Sequence, residues 1–186
     1  MANRSTGWAH ERLPYDSVMT IDAAVAAEPE RFMRLAIAAA HDAVAAGDLP
    51  IGAVAVRDGE VIATAGNRRT IDHDPTAHAE VLVLRQAAQL AGSWRLNDVT
   101  VVVTLEPCPM CAGALWAARI GGLVFGAADM KAGATGSLYH LGSDPRLNHE
   151  YPTRAGVLGA ECGLLLSDFF ANRRGAADAG DDETRQ

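Results

Sequence analysis

The apolar positions of this chain follow two rhythms in turn, one helical and one extended. From Pro29 onward, Phe32, Leu35, Ile37 and Val44 fill one side of a helix over about 29–46. Pro29 suits its first turn and Gly47 its stop. "PIGAVAVRDGEVIATAGN" then reads as two strands joined at Asp58-Gly59, a two-residue hairpin signal. A polar loop over 67–76 leads to a helix that opens at His78 and ends near Gly92. Val81, Leu82, Leu84 and Ala88 form its apolar side, and Arg85, Gln86 and Gln89 its polar side. "DVTVVVTLEPC" is a valine-rich run of the kind that forms a buried strand, a short helix follows over about 109–119, and "GGLVFGA" is another strand. Residues 127–155, rich in glycine and proline, read as loop, and a last helix covers about 160–174.

Strands alternating with helices predict an α/β domain over 29–174, with helices packed on the faces of a sheet. No internal repeat or second domain interrupts it. Residues 1–28 have no clean period and read as a mobile extension with a short helix near Ile21–Ala27. Residues 175–186, "GAADAGDDETRQ", read as an acidic disordered tail.

Composition narrows this picture modestly. With 186 residues, 49% hydrophobic and 21% charged, the chain is of a size and balance for one well-filled core. No apolar run approaches the roughly 18 residues of a membrane span, and the N-terminus lacks the layout of a secretory signal. Three cysteines argue against a disulfide framework and for a reducing, cytoplasmic setting. The net charge of −7 is a poor advertisement for nucleic-acid binding, but the ends distort it. Between Glu30 and Arg174, 13 Lys and Arg stand against 15 Asp and Glu, a balance of −2. A local basic patch remains compatible with that balance, and so does a small-molecule substrate.

The chemistry is concentrated at two helix starts. Cys108 and Cys111 form a Cys-x-x-Cys just after the valine-rich strand, in "TLEPCPMCAGAL", and a helix N-terminus favours the thiolate that binds metal. His78 opens the preceding helix, about 30 residues earlier, in "HDPTAHAEVLVLRQ". Two thiolates and one imidazole make a three-ligand zinc set with one open position. That is the catalytic arrangement, in which the pKa of zinc-held water falls to about 7. Glu80, two residues from the histidine, is then free to move a proton. Other readings stay open on this pattern alone. A Cys-x-x-Cys also serves redox pairs. A closed structural zinc would need a fourth ligand, and the spare thiol, Cys162, sits in a leucine-rich stretch that suits a core cysteine.

The pattern His78-Ala79-Glu80 with Pro107-Cys108-Pro109-Met110-Cys111 is similar to the signature of zinc nucleobase deaminases. With "LPIGAVAV", "GNRR", "KAGATGSL", "LNH" and "LLSDFF" added, the chain from about Pro29 to Arg174 resembles the bacterial tRNA-specific adenosine deaminases of the cytidine-deaminase-like superfamily. The resemblance implies a three-layer α/β/α sandwich around a mixed five-stranded sheet, and a homodimer with one zinc per subunit. It also implies hydrolytic conversion of the wobble adenosine of an arginine tRNA anticodon stem-loop to inosine. His78, Cys108 and Cys111 would hold zinc, hydroxide from it would attack C6 of adenine, and Glu80 would shuttle protons. The implied substrate-binding set is Leu49, Pro50, Asn67, Ala79, Asp129, Lys131, His149, Phe169, Phe170, Arg173 and Arg174. Physical readings compete at several of these positions. Asn67 suits a nucleoside contact or a turn. One of Phe169 and Phe170 is expected in the core and the other against RNA. Arg173 and Arg174 suit phosphates or a solvated helix end. A proline between the cysteines also occurs in guanine and cytosine deaminases. Deamination of free nucleobases or nucleosides (guanine, cytosine or cytidine) is therefore the alternative. The 28-residue extension has no place in the family pattern.

Overall fold

In the computed structural model, which describes the backbone of residues 19–183 and side chains as far as Arg174, the strands alternate as their sequences require. In β1 (Gly52–Arg57), Ala53 and Ala55 face one way and Val54 and Val56 the other. In β3 (Thr100–Leu105), Val101 and Val103 oppose Val102. In β4 (Gly122–Ala127), Leu123 and Phe125 oppose Val124. Both faces of these central strands are therefore apolar and both are covered, which explains why they read as unbroken hydrophobic runs. With β2 (Glu60–Gly66) and β5 (Thr153–Arg154) they form a five-stranded sheet in the order β2-β1-β3-β4-β5. The β2/β1 and β1/β3 pairs are antiparallel, and the β3/β4 and β4/β5 pairs parallel, so the sheet is mixed.

One face packs against α3 (Ala79–Ala91) and α4 (Pro109–Ala118), through Val83, Leu84, Ala87 and Leu115. The other packs against α1 (Ala23–Ala27), α2 (Pro29–Ala45) and α5 (Gly159–Glu183), through Val25, Phe32, Met33, Ala36 and Cys162. This is the three-layer sandwich expected. The Asp58-Gly59 turn has positive φ at both residues, as a two-residue hairpin of this hand needs. At Gly52 and Gly66, paired across the hairpin, an added Cβ would stand 2.1 Å from the Ala36 carbonyl oxygen and 2.4 Å from that of Ala39. The α2 backbone lies directly on the strand pair there, and only glycine admits it.

Three sequence expectations change. The described part of the N-terminal extension is packed: Val25 is fully buried, and Asp22 caps α1 while accepting from the Gly59 amide and donating its own amide to Thr100 Oγ1. The short helix expected near Ile21–Ala27 is α1, but the tertiary contacts that a helix so short depends on were not legible in its own residues. Residues 1–18 lie outside the described residues. At the other end the α5 backbone is helical to Glu183, past the end expected near 174. Third, the loop over 127–155 contains β5, a two-residue exposed strand with no apolar alternation to announce it.

Candidate metal centre and its surroundings

β3 and β4 run parallel, and the chain leaving β3 turns sharply into α4. Cys108 is the N-cap of α4 and His78 the N-cap of α3, both in extended conformation, so two helix starts meet at one point beside the sheet. His78 Nδ1 lies 3.8 Å from Cys108 Sγ and 3.5 Å from Cys111 Sγ, and one ligand atom from each residue lies within 4.8 Å of the others. Cys111 is buried, while His78 and Cys108 are partly open.

The electrostatics of this cluster ask for a cation. The Cys111 thiol and then the imidazole, acting as hydrogen-bond partners, bring the Cys108 thiol down to about 4. The Cys111 thiol is pushed up, first by its neighbour Cys108 and then by burial. Two sulfurs and a ring nitrogen converging with one side open match the three-protein-ligand zinc site, which keeps a position for water or substrate. Glu80, in the first turn of α3, is 4% exposed, its Oε2 has no hydrogen-bond partner, and burial raises its pKa. A buried carboxylate oxygen without a protein partner is uncommon in a folded core, and here it follows the candidate ligand His78 by two residues. The residues present fit zinc.

The other expected site residues separate into groups. Asn67 is buried at the end of β2. Its backbone N–H donates to the Ile51 carbonyl, and the Arg68 N–H donates to the Ala77 carbonyl (2.8 and 2.9 Å), which sets it beside the strand of chain that carries His78. Leu49 is half-buried and Pro50 buried, just ahead of β1. The Ala79 side chain belongs to the core between sheet and helices. Asp129 accepts from the Lys131 and Ala132 amides and so shapes its own turn, leaving Lys131 exposed. His149 is buried, and its Nε2 sits 3.2 Å from the Ile120 carbonyl oxygen. That ring is engaged with the turn before β4. On α5, Phe170 is exposed and Phe169 half-buried. The two rings meet edge to face, and the Arg173 guanidinium lies 5.4 Å from the Phe169 ring centre. Arg174 is exposed. Arg68 forms a two-pronged pair with Asp72, while Arg69 is exposed.

Two buried carboxylates escaped sequence reasoning. Glu106 accepts from the amides of Asp129, Thr135 and Ser137 and from the Ser137 hydroxyl, and so ties the 129–137 loop to the turn that carries the cysteines. Asp48 accepts from Asn67 Nδ2 and from the amides of Leu49, Thr70 and Ile71. A charged residue inside a run of buried apolar ones, as in "TVVVTLEPC", was the only available signal for Glu106.

Fold and site together define a deaminase of the cytidine-deaminase-like class with a candidate metal centre. The MafB19-like deaminase family model matches residues 27–173. The tRNA-specific adenosine deaminase of Bacillus subtilis (strain 168) is 47% identical over 147 residues, which is 79% of this chain and 91% of that protein. That of Haemophilus influenzae is 47% identical over 146 residues, 78% of this chain and 84% of that one. Among solved structures, one from studies of A-to-I editing by wobble-position tRNA deaminases aligns with a TM-score of 0.71 at 43% identity. It covers 73% of this chain and 99% of that one. A guanine deaminase from Bacillus subtilis aligns less fully, with a TM-score of 0.52 at 34% identity, over 59% of this chain and 80% of that one. This chain belongs to the tRNA-specific adenosine deaminase family.

Proposed function

We propose that the protein converts the wobble adenosine of an arginine tRNA anticodon stem-loop to inosine by hydrolysis, with water consumed and ammonia released. The observation that carries this reading is a three-ligand cluster with the unpartnered Glu80 carboxylate beside it, in a chain so similar to tRNA-specific adenosine deaminases over nearly their full length. His78, Cys108 and Cys111 would hold one zinc per subunit. Zinc held there would supply Lewis acidity, the property by which it makes water a nucleophile near neutral pH. Glu80 Oε2 takes the proton of the attacking water and delivers it to the departing amino nitrogen, the work of a general base and then a general acid. Burial keeps bulk water from competing for that proton.

Asn67, Leu49 and Pro50 line the substrate side of the site. Phe170 and the Arg173–Arg174 pair on α5, with Lys131 on the 129–137 loop, provide a stacking surface and phosphate contacts for a single-stranded loop. A target base already in a loop needs little energy to leave its stack. The working unit is a homodimer. The α4 sequence is apolar on nearly all sides, yet Met110 and Ala117 are exposed in one chain, and a helix of that kind calls for cover. No helix among the described residues is long and apolar enough to cross a membrane. A tRNA substrate and reduced cysteines fit a cytoplasmic setting.

The test is deamination of a synthetic arginine anticodon hairpin with adenosine at the wobble position, beside free adenosine, cytidine, cytosine and guanine. Inosine in the hairpin alone is expected. Turnover of a free base with an untouched hairpin would transfer the same chemistry to a small-molecule substrate and cancel the roles given to α5. Elemental analysis of the purified protein should find one zinc per chain. Chelation should abolish turnover, and added zinc should restore it.

A further inference from the structure

We propose that Asp48 is a positioning residue that decides which end of the Asn67 amide is left for the substrate. The inference rests on the reading of Asn67 as a substrate contact. A side-chain amide can be turned end for end with little change in shape, and its neighbours decide which way it faces. Here the neighbour is a carboxylate, which when ionised only accepts. Asn67 must therefore turn its nitrogen to Asp48, and Nδ2 stands 2.6 Å from Asp48 Oδ1.

Asp48 itself has no freedom to turn. It is 1% exposed. Oδ1 also accepts from the Leu49 amide at 2.8 Å, and Oδ2 accepts from the amides of Thr70 and Ile71 at 2.6 and 3.1 Å. These donors come from the segment entering β1 and from the loop leaving β2, so the carboxylate is clamped from both sides of Asn67. The four donors outweigh the effect of burial and hold the carboxyl below its ordinary range, which keeps it an acceptor.

The consequence appears on the other end of the amide. Asn67 Oδ1 is buried and has no partner. Asn67 lies beside the His78 segment, and Glu80 there shows the same feature, a buried oxygen without a partner. With one N–H committed to Asp48, the amide keeps one N–H and its carbonyl oxygen. That donor and acceptor match a base that offers a ring nitrogen and an amino group on one edge, as adenine does. A base offering two acceptors on that edge does not match.

The test is a cycle on the full-length, zinc-loaded enzyme with Asp48→Asn, Asn67→Ala and the double variant, reading kcat/KM on the wobble-adenosine hairpin and the melting temperature of each. In Asp48→Asn the side-chain oxygen is held by the Thr70 and Ile71 amides and the new NH2 faces Asn67, whose amide must then turn its oxygen toward it. Each single variant should lose about 10–100-fold in kcat/KM, and the double variant should lose no more than Asn67→Ala alone. If the two losses multiply, Asp48 acts through its loops and not through Asn67, and the proposal is overturned. A second measurement needs neither a variant of Asp48 nor any substrate. In the NMR spectrum of the wild-type enzyme without RNA, one side-chain amide proton of Asn67, assigned by its loss in Asn67→Ala, should lie well downfield of its twin. Such a shift accompanies a short bond to a carboxylate. An ordinary pair of signals would overturn the proposal. An untouched hairpin with a downfield Asn67 proton would instead reject the tRNA reading and leave the Asp48 contact standing.

Discussion

Glu80, in the role of proton carrier proposed for it, would contribute to function at the expense of stability. Its Oε2 is buried without a hydrogen bond, an arrangement that costs the folded state about 1–3 kcal/mol. Replacing Glu80 by Ala removes that cost along with the proton carrier. Turnover should fall by about 10²–10⁴-fold while the melting temperature stays level or rises and zinc content is retained. Undiminished turnover would remove Glu80 from the proton path. Asp48 makes the opposite contribution. Burial works against its charge, but hydrogen bonds from Asn67, Leu49, Ile71 and Thr70 prevail and hold its pKa below the ordinary 3.8. A depressed folded-state pKa means the carboxylate stabilises the fold above pH 3.8, and that contribution is lost as pH falls through the lower folded value. Melting temperatures of wild type and Asp48→Asn should therefore differ most near neutral pH and converge on acidification past pH 3.8; a constant gap would show that the charge has no part in it. At this scale the sequence was uneven in what it disclosed. His78, Glu80, Cys108 and Cys111 stand in two short runs whose spacing carries their chemistry. Asp48 and Glu106 do not, since their partners lie 19–31 residues away along the chain, apart from the Leu49 amide. No local pattern records such pairings. His149 is a similar case: the resemblance alone implied a loop bordering the anticodon, and no local pattern records the contact of its ring with the Ile120 carbonyl.

Among the elements, legibility followed the amount of apolar surface each one buries. The α2 and α3 helices and strands β1, β3 and β4 all bury several apolar side chains, and their periods were plain. Helix α1 was expected near Ile21–Ala27, but it buries one residue and β5 none, so the packing of both depends on neighbours that the local sequence does not name. The contact between α2 and the hairpin is the tightest joint near the site, because Gly66 precedes Asn67 directly. An added Cβ at Gly66 would meet the Ala39 carbonyl oxygen at 2.4 Å and the Ala43 Cβ at 2.8 Å, both on a helix that cannot retreat without opening the core. Gly66→Ala should destabilise the fold by about 1–3 kcal/mol, read as a lower denaturant midpoint with an unchanged m-value. It should also reduce turnover per folded molecule, since the push falls on the residue next to Asn67. Stability equal to wild type would mean that α2 and the hairpin tolerate separation.

For the molecule as a whole, the question is how a chain of net charge −7 holds a polyanion. The excess lies at the ends. The segment from Glu30 to Arg174 carries 13 Lys and Arg against 15 Asp and Glu, close to neutral, and several of its arginines are already paired: Arg68 with Asp72, Arg146 with Asp144, Arg34 with Glu30. Such exposed pairs add little to stability, but they lower the net positive potential an approaching phosphate meets. Binding must then rely on a few cations rather than on a broad field, and the exposed Arg173–Arg174 pair beside Phe170 is the strongest cluster of that kind on α5. RNA affinity that comes from a few phosphate contacts falls with salt by a slope that counts them, about 0.7 per contact for a single strand. Arg173→Ala with Arg174→Ala should weaken hairpin binding at low salt and reduce that slope by about 1.4 if both reach phosphates. Turnover at saturating hairpin should change little, because neither residue touches the reacting atoms. An unchanged slope would move the phosphate contacts elsewhere, with Arg69 and Lys131, both exposed near the site, next in order. A slope reduced by half that amount would assign one arginine to RNA. The other would be Arg173, whose guanidinium already lies over the Phe169 ring.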